Sequence, residues 1–393
     1  VKYILFIFIF VIFPFYLFAV SPNVQEEIDL ANSLAKQAFS YYEQGHYSEA
    51  EPLFKRSLEI REKVLGPEHP DVARNTNNLA GIYISQGRYS EAEPLFKRSL
   101  AIHEKVFGPE HPHFAKSLHA LANLYYVKGH YNEAEQLYKR ALGINEKAFG
   151  LEHPEVAKNI NKMGYIYIKQ GHYDQAGLLI KRALAINEKA FGLEHPEVSE
   201  NINTLGAMYL HLRRFTEAEP LLKRALVIHE KVFGPEHPKV ALSFNNLASL
   251  YSIQGNYKEA EPLLKRALDI RVKVFGPEHP HVAESLSNLA HISNSQGNYD
   301  EAEQLYKRAL VIREEVFGPE NPIFAHSLIS IAGIYSTQGH YNEAEKLYKR
   351  ALAIDEKVFG LEHHVIATIQ GNLASNYKDQ GRYNEAEQLH KRA

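Results

Sequence analysis

Residues 71–112 read DVARNTNNLAGIYISQGRYSEAEPLFKRSLAIHEKVFGPEHP, and most of the chain is copies of this stretch. Its landmark is Gly87-Arg-Tyr89-Ser-Glu-Ala92. The pattern returns at Gly45, Gly129, Gly171, Gly255, Gly297, Gly339 and Gly381, and Arg213-Arg-Phe215-Thr-Glu-Ala218 fills the remaining slot. That makes nine copies at a step of 42 residues. A second landmark, Gly66-Pro-Glu-His-Pro70, returns in recognisable form at the same step. A fixed period of about 20–50 residues marks a solenoid, in which each unit covers the apolar face of the next.

Inside the unit, Val72, Ala73, Thr76, Leu79, Ala80 and Tyr83 fall at helical spacing. Gly87 interrupts, and Ala92, Leu95, Phe96, Ser99, Leu100, His103, Val106 and Phe107 form a second run. Ser90 and Glu93 have the form of a capping box for that second helix, with Asn132/Glu135, Asp300/Glu303 and Asn342/Glu345 as weaker versions. Gly108 predicts a helix stop, and Pro112 a new helix start. Each unit is therefore two antiparallel helices, of roughly 15 and 18 residues. Small residues at Ala80/Ala92, Ala122/Ala134, Gly164/Ala176 and Ala248/Ala260 mark where helices approach closely. The fold class is all-α, a solenoid of nine helix pairs over residues 22–393. The ninth is truncated at Ala393 and has no polar capping helix after it, as in a fragment or a chain whose open end packs against something.

Val1–Val20, VKYILFIFIFVIFPFYLFAV, carries one charge, at Lys2. A basic start, an apolar run and a small-residue end at Ala19 read as an export signal. The run is also long enough for an uncleaved anchor, since about 20 apolar residues span a bilayer. Residues 1–21 are accordingly expected to be a signal peptide or a membrane anchor. Lys2 before the run and Glu26, Glu27 and Asp29 after it place the repeats outside the cytoplasm, in a periplasmic or extracellular location. Val1 in place of Met fits an alternative start codon, as in a bacterial gene, and fits a fragment equally.

The chain has 44 basic and 47 acidic residues, a net charge of −3 and no cysteine. Thiolate metal sites and a cysteine nucleophile are excluded. Nine Lys-Arg pairs, from Lys55-Arg56 to Lys391-Arg392, suggest a basic ladder. Eight of their lysines have Glu four residues before, as in Glu93→Lys97, so the ladder is self-neutralised and no nucleic-acid partner is expected. Seven of the 21 histidines, His69, His111, His153, His195, His237, His279 and His363, follow the rhythm of the repeat. They read as loop residues near helix starts, too far apart to share a metal. No metal-binding, phosphate-binding or nucleophile-elbow motif appears, so no cofactor and no catalysis are expected.

The series Leu79, Ala80, Tyr83, Gly87, Tyr89, Ala92, Phe96 resembles the tetratricopeptide repeat. The 42-residue step, with Gly-x-x-His-Pro-x-Val-Ala between units, is similar to the longer repeats of kinesin light chains and their prokaryotic relatives. The resemblance implies a right-handed superhelix whose first helices line a concave groove for a peptide. It points to four rows, counted back from each landmark glycine. Ten residues before lie Asn77, His119, Asn161, Asn203 and Asn245. Nine before lie Asn78, Lys162, Asn246, Asn288 and Asn372. Thirteen before lie Arg74, Lys116, Lys158, Glu200, Glu284 and His326, and six before lie Asn123, Tyr165 and His291.

An Asn amide donates and accepts at once, so rows of Asn suit an extended peptide backbone. Arg74, Lys116, Lys158, Lys162 and Lys169 crowd the first half of the groove, which makes an acidic or carboxylate-ended segment one expected ligand. Arg74 with Asn78, and Lys158 with Lys162, partly resemble the carboxylate clamp of some family members, although Ala120 stands where the clamp has Asn. The expected function is a non-catalytic scaffold for a protein or peptide partner, with no nucleic acid and with membrane contact only through residues 1–20. The alternative is a structural protein that self-associates through its uncapped carboxyl end.

Overall fold

The computed structural model describes residues 22–361 and 363–391. The expected signal or anchor of residues 1–21 lies outside the described residues. Among the described residues eighteen α-helices follow one another, and no helix is long and apolar enough to cross a membrane. The first repeat pairs Pro22–Glu43 with Tyr47–Leu65, the second Pro70–Ser85 with Tyr89–Phe107, and the third Pro112–Val127 with Tyr131–Phe149. The rhythm continues to His364–Asp379 and Tyr383–His390 in the ninth. From the second repeat to the eighth, first helices have 16 residues and second helices 19. Each helix packs on the one before it and the one after it.

The apolar runs form the core. Val72, Ala73, Thr76, Leu79, Ala80 and Tyr83 are buried, as are Ala92, Phe96, Ser99 and His103. Val106 departs from the expected face. It is 44% exposed, and its counterparts Val232 and Val274 are at 45% and 47%. The small residues do sit at close approaches: a Cβ on Gly164 would stand 2.6 Å from Ile180 Cγ1.

The expected capping box does not form. The second helix starts at Tyr89, so its N-cap is Arg88 and Ser90 is already inside the helix, with no side-chain cap bond. Glu93 instead binds Lys97 at 2.7 Å and Lys128 of the next repeat at 2.9 Å. Asn132 likewise accepts from Gln170 of the next repeat. Capping belongs to the first helices. There His Nδ1 accepts from the backbone N–H two residues on, as from Asp71 to His69 and from Glu155 to His153 at 3.1 Å. Pro follows the cap at the first helical position, where its missing N–H costs nothing. The cap ring stacks on the Phe that ends the previous helix, as His195 on Phe191 at 4.2 Å. The turn between them needs glycine, since Gly108 has φ 87° and ψ 163°.

The Lys-Arg ladder is neutralised as expected. Lys55, Lys97, Lys139, Lys223, Lys265, Lys307, Lys349 and Lys391 each pair with the Glu four residues before. The arginines tie repeats together: Arg98 reaches Glu62 at 2.6 Å and Arg224 reaches Glu188 at 2.7 Å. Such exposed pairs contribute at most about 1 kcal/mol each.

The superhelix also touches itself. His279, the cap of the seventh repeat, points Nε2 at the carbonyl of Glu43 in the first, at 3.2 Å and 236 residues away. Tyr47 stacks on Phe317 at 5.8 Å, and Tyr89 packs on Phe359 at 5.9 Å. The turn glycines seat on the caps: a Cβ on Gly45 would stand 2.6 Å from Pro280 Cδ, one on Gly87 2.7 Å from Asn321 Nδ2, and one on Gly129 would overlap His363. The solenoid thus completes a turn within six repeats and closes a seam between the first three repeats and the last three.

Candidate functional site

The polar rows lie along the first helices, and an acid in those rows, Glu284, has surroundings unlike those of a loop acid, Glu236. Glu284 keeps 47% of its side chain exposed and Glu236 keeps 41%. Desolvation is nonetheless the largest influence on Glu284, while a hydrogen bond from Lys273 leads for Glu236. Burial raises the Glu284 carboxyl, and His281 and Arg271 outweigh it; His326, exposed in the same row, is pushed down by burial.

The row ten residues before each glycine is the floor. Asn161, Asn203 and Asn245 are 8%, 8% and 7% exposed, and Asn77 and His119 are half-buried. Asn77 Oδ1, His119 Nε2, Asn161 Oδ1 and Asn203 Nδ2 are buried with no hydrogen-bond partner in the chain. A buried polar atom without a partner costs about 1–3 kcal/mol, so four of them along one row mark this surface out. Asn245 differs, because its amide oxygen, turned toward Arg271, accepts from both Nη atoms at 3.0 and 3.1 Å.

The rows nine and thirteen residues before the glycine are the walls. Asn78, Lys162, Asn246, Asn288 and Asn372 are half-buried, and Arg74, Lys116 and Lys158 are exposed. Asn246 Nδ2 donates to Asn203 Oδ1 at 3.2 Å and links neighbouring repeats. Asn123 contacts His119 at 3.3 Å and accepts from Tyr138 Oη at 2.5 Å. Two cavities open on these walls. One, of about 250 Å³, includes Asn203, Asn246 and His211. The next, of about 390 Å³, includes Asn245, Glu284, Asn288 and His291.

Charge is unevenly spent along the face. Glu200 is held by Lys239 at 2.7 Å, and Glu284 by Arg271 at 3.3 Å and His281 at 3.5 Å. Arg74 is held by Asp71 at 2.6 Å. Among the described residues Lys116, Lys158 and Lys162 have no ion-pair partner, and Lys162 lies over the Tyr165 ring at 5.6 Å; Lys169, expected in the same cluster, instead lines a cavity at the seam with Gly129, Phe359 and His363. Burial first, and then Lys158 and Lys162, push His119 down to about 4, so its ring is neutral near pH 7. Lys162 is itself lowered by burial, with Lys158 and Lys239 adding to the effect and Glu200 opposing it. The face therefore carries a positive field over the third and fourth repeats and a neutralised stretch beyond them.

Lys239, Arg271 and Arg313 shape this field and were missed in the sequence rows. Lys239 belongs to the first turn after a loop. Arg271 and Arg313 reach the inner face from second helices, where Nη1 donates to Ser285 at 2.8 Å and to Ser327 at 2.5 Å. Their rhythm was legible, because each lies fourteen residues before its serine. Their direction was not.

A family model described as Tetratricopeptide repeat matches residues 29–105, 75–147, 113–189, 198–273, 240–310, 281–357 and 341–393. No curated protein matches the sequence. Among solved structures, nearly identical TPR-like repeats of a Podospora anserina kinesin light chain are 30% identical. They cover 52% of this chain and 97% of that one, with a TM-score of 0.44. BtubC (BKLC) from P. vanneervenii is 21% identical, over 64% of this chain and 92% of that one, with a TM-score of 0.45. A Rap protein complexed with Competence and Sporulation Factor is 17% identical, over 93% and 96%, with a TM-score of 0.60. The last is a likeness of fold.

Proposed function

Because this chain belongs to the tetratricopeptide repeat family, we propose that it is a non-catalytic scaffold holding an extended segment of a partner protein along the inner face of its first helices. The observation that carries this reading is the run Lys116, Lys158 and Lys162, unpaired on the first helices while eight of the nine lysines of the Lys-Arg ladder are paired on the second. An acidic or carboxylate-ended segment would supply the missing counter-charge. Desolvation within the concavity would make each such pair stronger than one on the outer surface. Asn77 Oδ1, Asn161 Oδ1 and Asn203 Nδ2, which lack partners in the chain, belong to the neighbouring row, where a small rotation would offer them to a peptide backbone. A Rap protein of the same fold, crystallised with Competence and Sporulation Factor, is consistent with a partner segment bound by such a solenoid.

The test is anisotropy of a fluorescent acidic peptide at low salt. Lys158→Glu with Lys162→Glu should weaken binding by tenfold or more (about 1.4 kcal/mol per tenfold), and added salt should weaken wild-type binding. Equal affinity of variant and wild type at low salt would refute the charge reading. Unchanged partners in a pulldown after Asn77, Asn161, Asn203 and Asn245 are all replaced by Ala would refute the groove.

The reading of residues 1–21 as a signal peptide or anchor supports a second proposal, that the repeats work outside the cytoplasm. A carboxyl-terminal reporter that is active only outside the cytoplasm tests it. A silent reporter on a stably expressed fusion would overturn it.

A further inference from the structure

The seam uses only part of the surface that could form it. Gly45, Gly87 and Gly129 are covered by the caps of the seventh, eighth and ninth repeats. Gly171, Gly255, Gly297, Gly339 and Gly381 have the same positive φ, yet a Cβ there would meet nothing within 4 Å. The opposite edge is divided in the same way at the first two rungs. The caps His279 and Asn321 are 5% and 3% exposed, while His363 at the third rung is half-buried. The equivalent caps His69, His111, His153 and His195 are half-buried. Beside them Phe149, Phe191 and Phe233 remain 42%, 42% and 36% exposed, and Leu151 and Leu193 remain 60% and 61% exposed. At the first two closed rungs the counterparts of these leucines, Pro277 and Pro319, face the turns of the first two repeats, while Leu361 at the third stays 74% exposed beside Gly129.

We propose that the open turns at Gly255, Gly297, Gly339 and Gly381, and the open cap loops from His69 to His195, are two halves of an interface that a second copy of this chain closes. The copies stack head to tail, with the loops of one seated on the turns of the next. The occupant follows from the chain itself. The only partner shown to fit a turn glycine here is a cap loop of this sequence, and three such seats are already filled within one chain. The loop must lie against bare backbone, because side-chain atoms of Pro280, Asn321 and His363 occupy the place of a Cβ. The aromatic pair Tyr47–Phe317 shows what each rung adds, and such rings are the side chains that interfaces favour. The two halves lie on opposite edges, so the contact is heterologous, and stacking along the superhelix axis leaves both ends of the assembly open. This interface is lateral, along the superhelix, and differs from association through the carboxyl end.

Arg213 bears on the same point. It stands in a glycine slot with φ 54°, on the open part of the strip. There its side chain collides with nothing in the chain and would block one rung of a stacked copy.

Sedimentation velocity of the full chain over a wide concentration range tests the proposal. The mass should rise with concentration past two copies without a plateau. Gly297→Arg with Gly339→Arg should hold the chain at one copy with unchanged helix content, since Arg213 shows that this turn folds with arginine. Leu151→Arg with Leu193→Arg, on exposed loop positions of the other half, should do the same. Arg213→Gly should shift growth to lower concentration. A single-copy mass for both wild type and Arg213→Gly at every concentration overturns the proposal, as does growth that persists in both arginine pairs.

Discussion

Tyr89 of the second repeat and Phe359 of the eighth pack ring on ring across the seam, 5.9 Å apart and tilted by 37°. Tyr89 is 7% exposed, whereas Tyr257, at the same place in the sixth repeat and with a repeat on either side, is half-buried. The repeat supplies the ring, and closure of the superhelix buries it. A solenoid whose units touch only their neighbours would treat the two tyrosines alike.

The seam glycines should therefore differ from the open ones. Gly255→Ala carries only the left-handed backbone penalty, of about 1–2 kcal/mol. Gly87→Ala adds the clash with Asn321, and overpacking of that kind costs about 1–3 kcal/mol more. Thermal midpoints of the two variants under one buffer should separate, with Gly87→Ala lower. Equal midpoints would mean that the seam carries no stability.

Asp355 should make the seam sensitive to alkali. His103, Asn187, His229, Arg271 and Arg313 occupy its position in other repeats and bind a Ser or Asn fourteen residues on. For Asp355 that residue is Ile369, and its Oδ1 has no partner. Burial pushes the carboxyl from 3.8 up to about 7. The folded chain thus favours the protonated form. The associated stability is complete below about pH 4 and is lost as pH rises through about 7. Asp355→Asn should be more stable than wild type at pH 8, by on the order of 4 kcal/mol, and equal to it near pH 4. Parallel stability curves would refute this.

His279 should act on the acid side. Its Nδ1 accepts from the N–H of His281, and its Nε2–H donates to Glu43. The bond to Nδ1 requires the neutral ring, whereas the Nε2–H bond to Glu43 survives protonation and favours the charged form. Burial first, and then His281, hold it down at about 4. Its contribution is therefore complete above the ordinary value near 6.5 and is lost as pH falls toward 4. His279→Asn keeps an acceptor for the cap, as Asn321 does in the next rung at 2.8 Å. The variant should show a shallower loss of thermal midpoint between pH 7 and 4.

Asn161 should separate binding from folding. Its Oδ1 is buried and unpaired, so Asn161→Ala removes an unmet acceptor along with some packing. Its stability should stay within about 1 kcal/mol of wild type, while affinity for the acidic peptide falls. A large drop in midpoint would assign Asn161 to the core instead.

The nine helix pairs, their turns and their core could be read before any coordinates, because each follows from local spacing repeated at a fixed step. Leu79, Ala80 and Phe96 are buried for the reason that their spacing predicts, and Glu93 meets Lys97 because four residues make one helical turn. The rows of the inner face could be read in the same way, as positions. Their depth could not. Asn161 lies in the floor and Lys158 on the wall because the curvature of the stack sets how far each row sinks.

The sequence by itself settled what repeats: the helix pair, the glycine turn and the proline start, all specified within one unit and its neighbour. The tertiary structure alone decided where equal units become unequal. Gly87 and Gly255 have the same place in the repeat and the same backbone, yet one lies under Asn321 and the other is open. The difference comes from small rotations between successive repeats, which add up over the chain until its turns meet. That sum is a property of the whole stack, and no single unit encodes it.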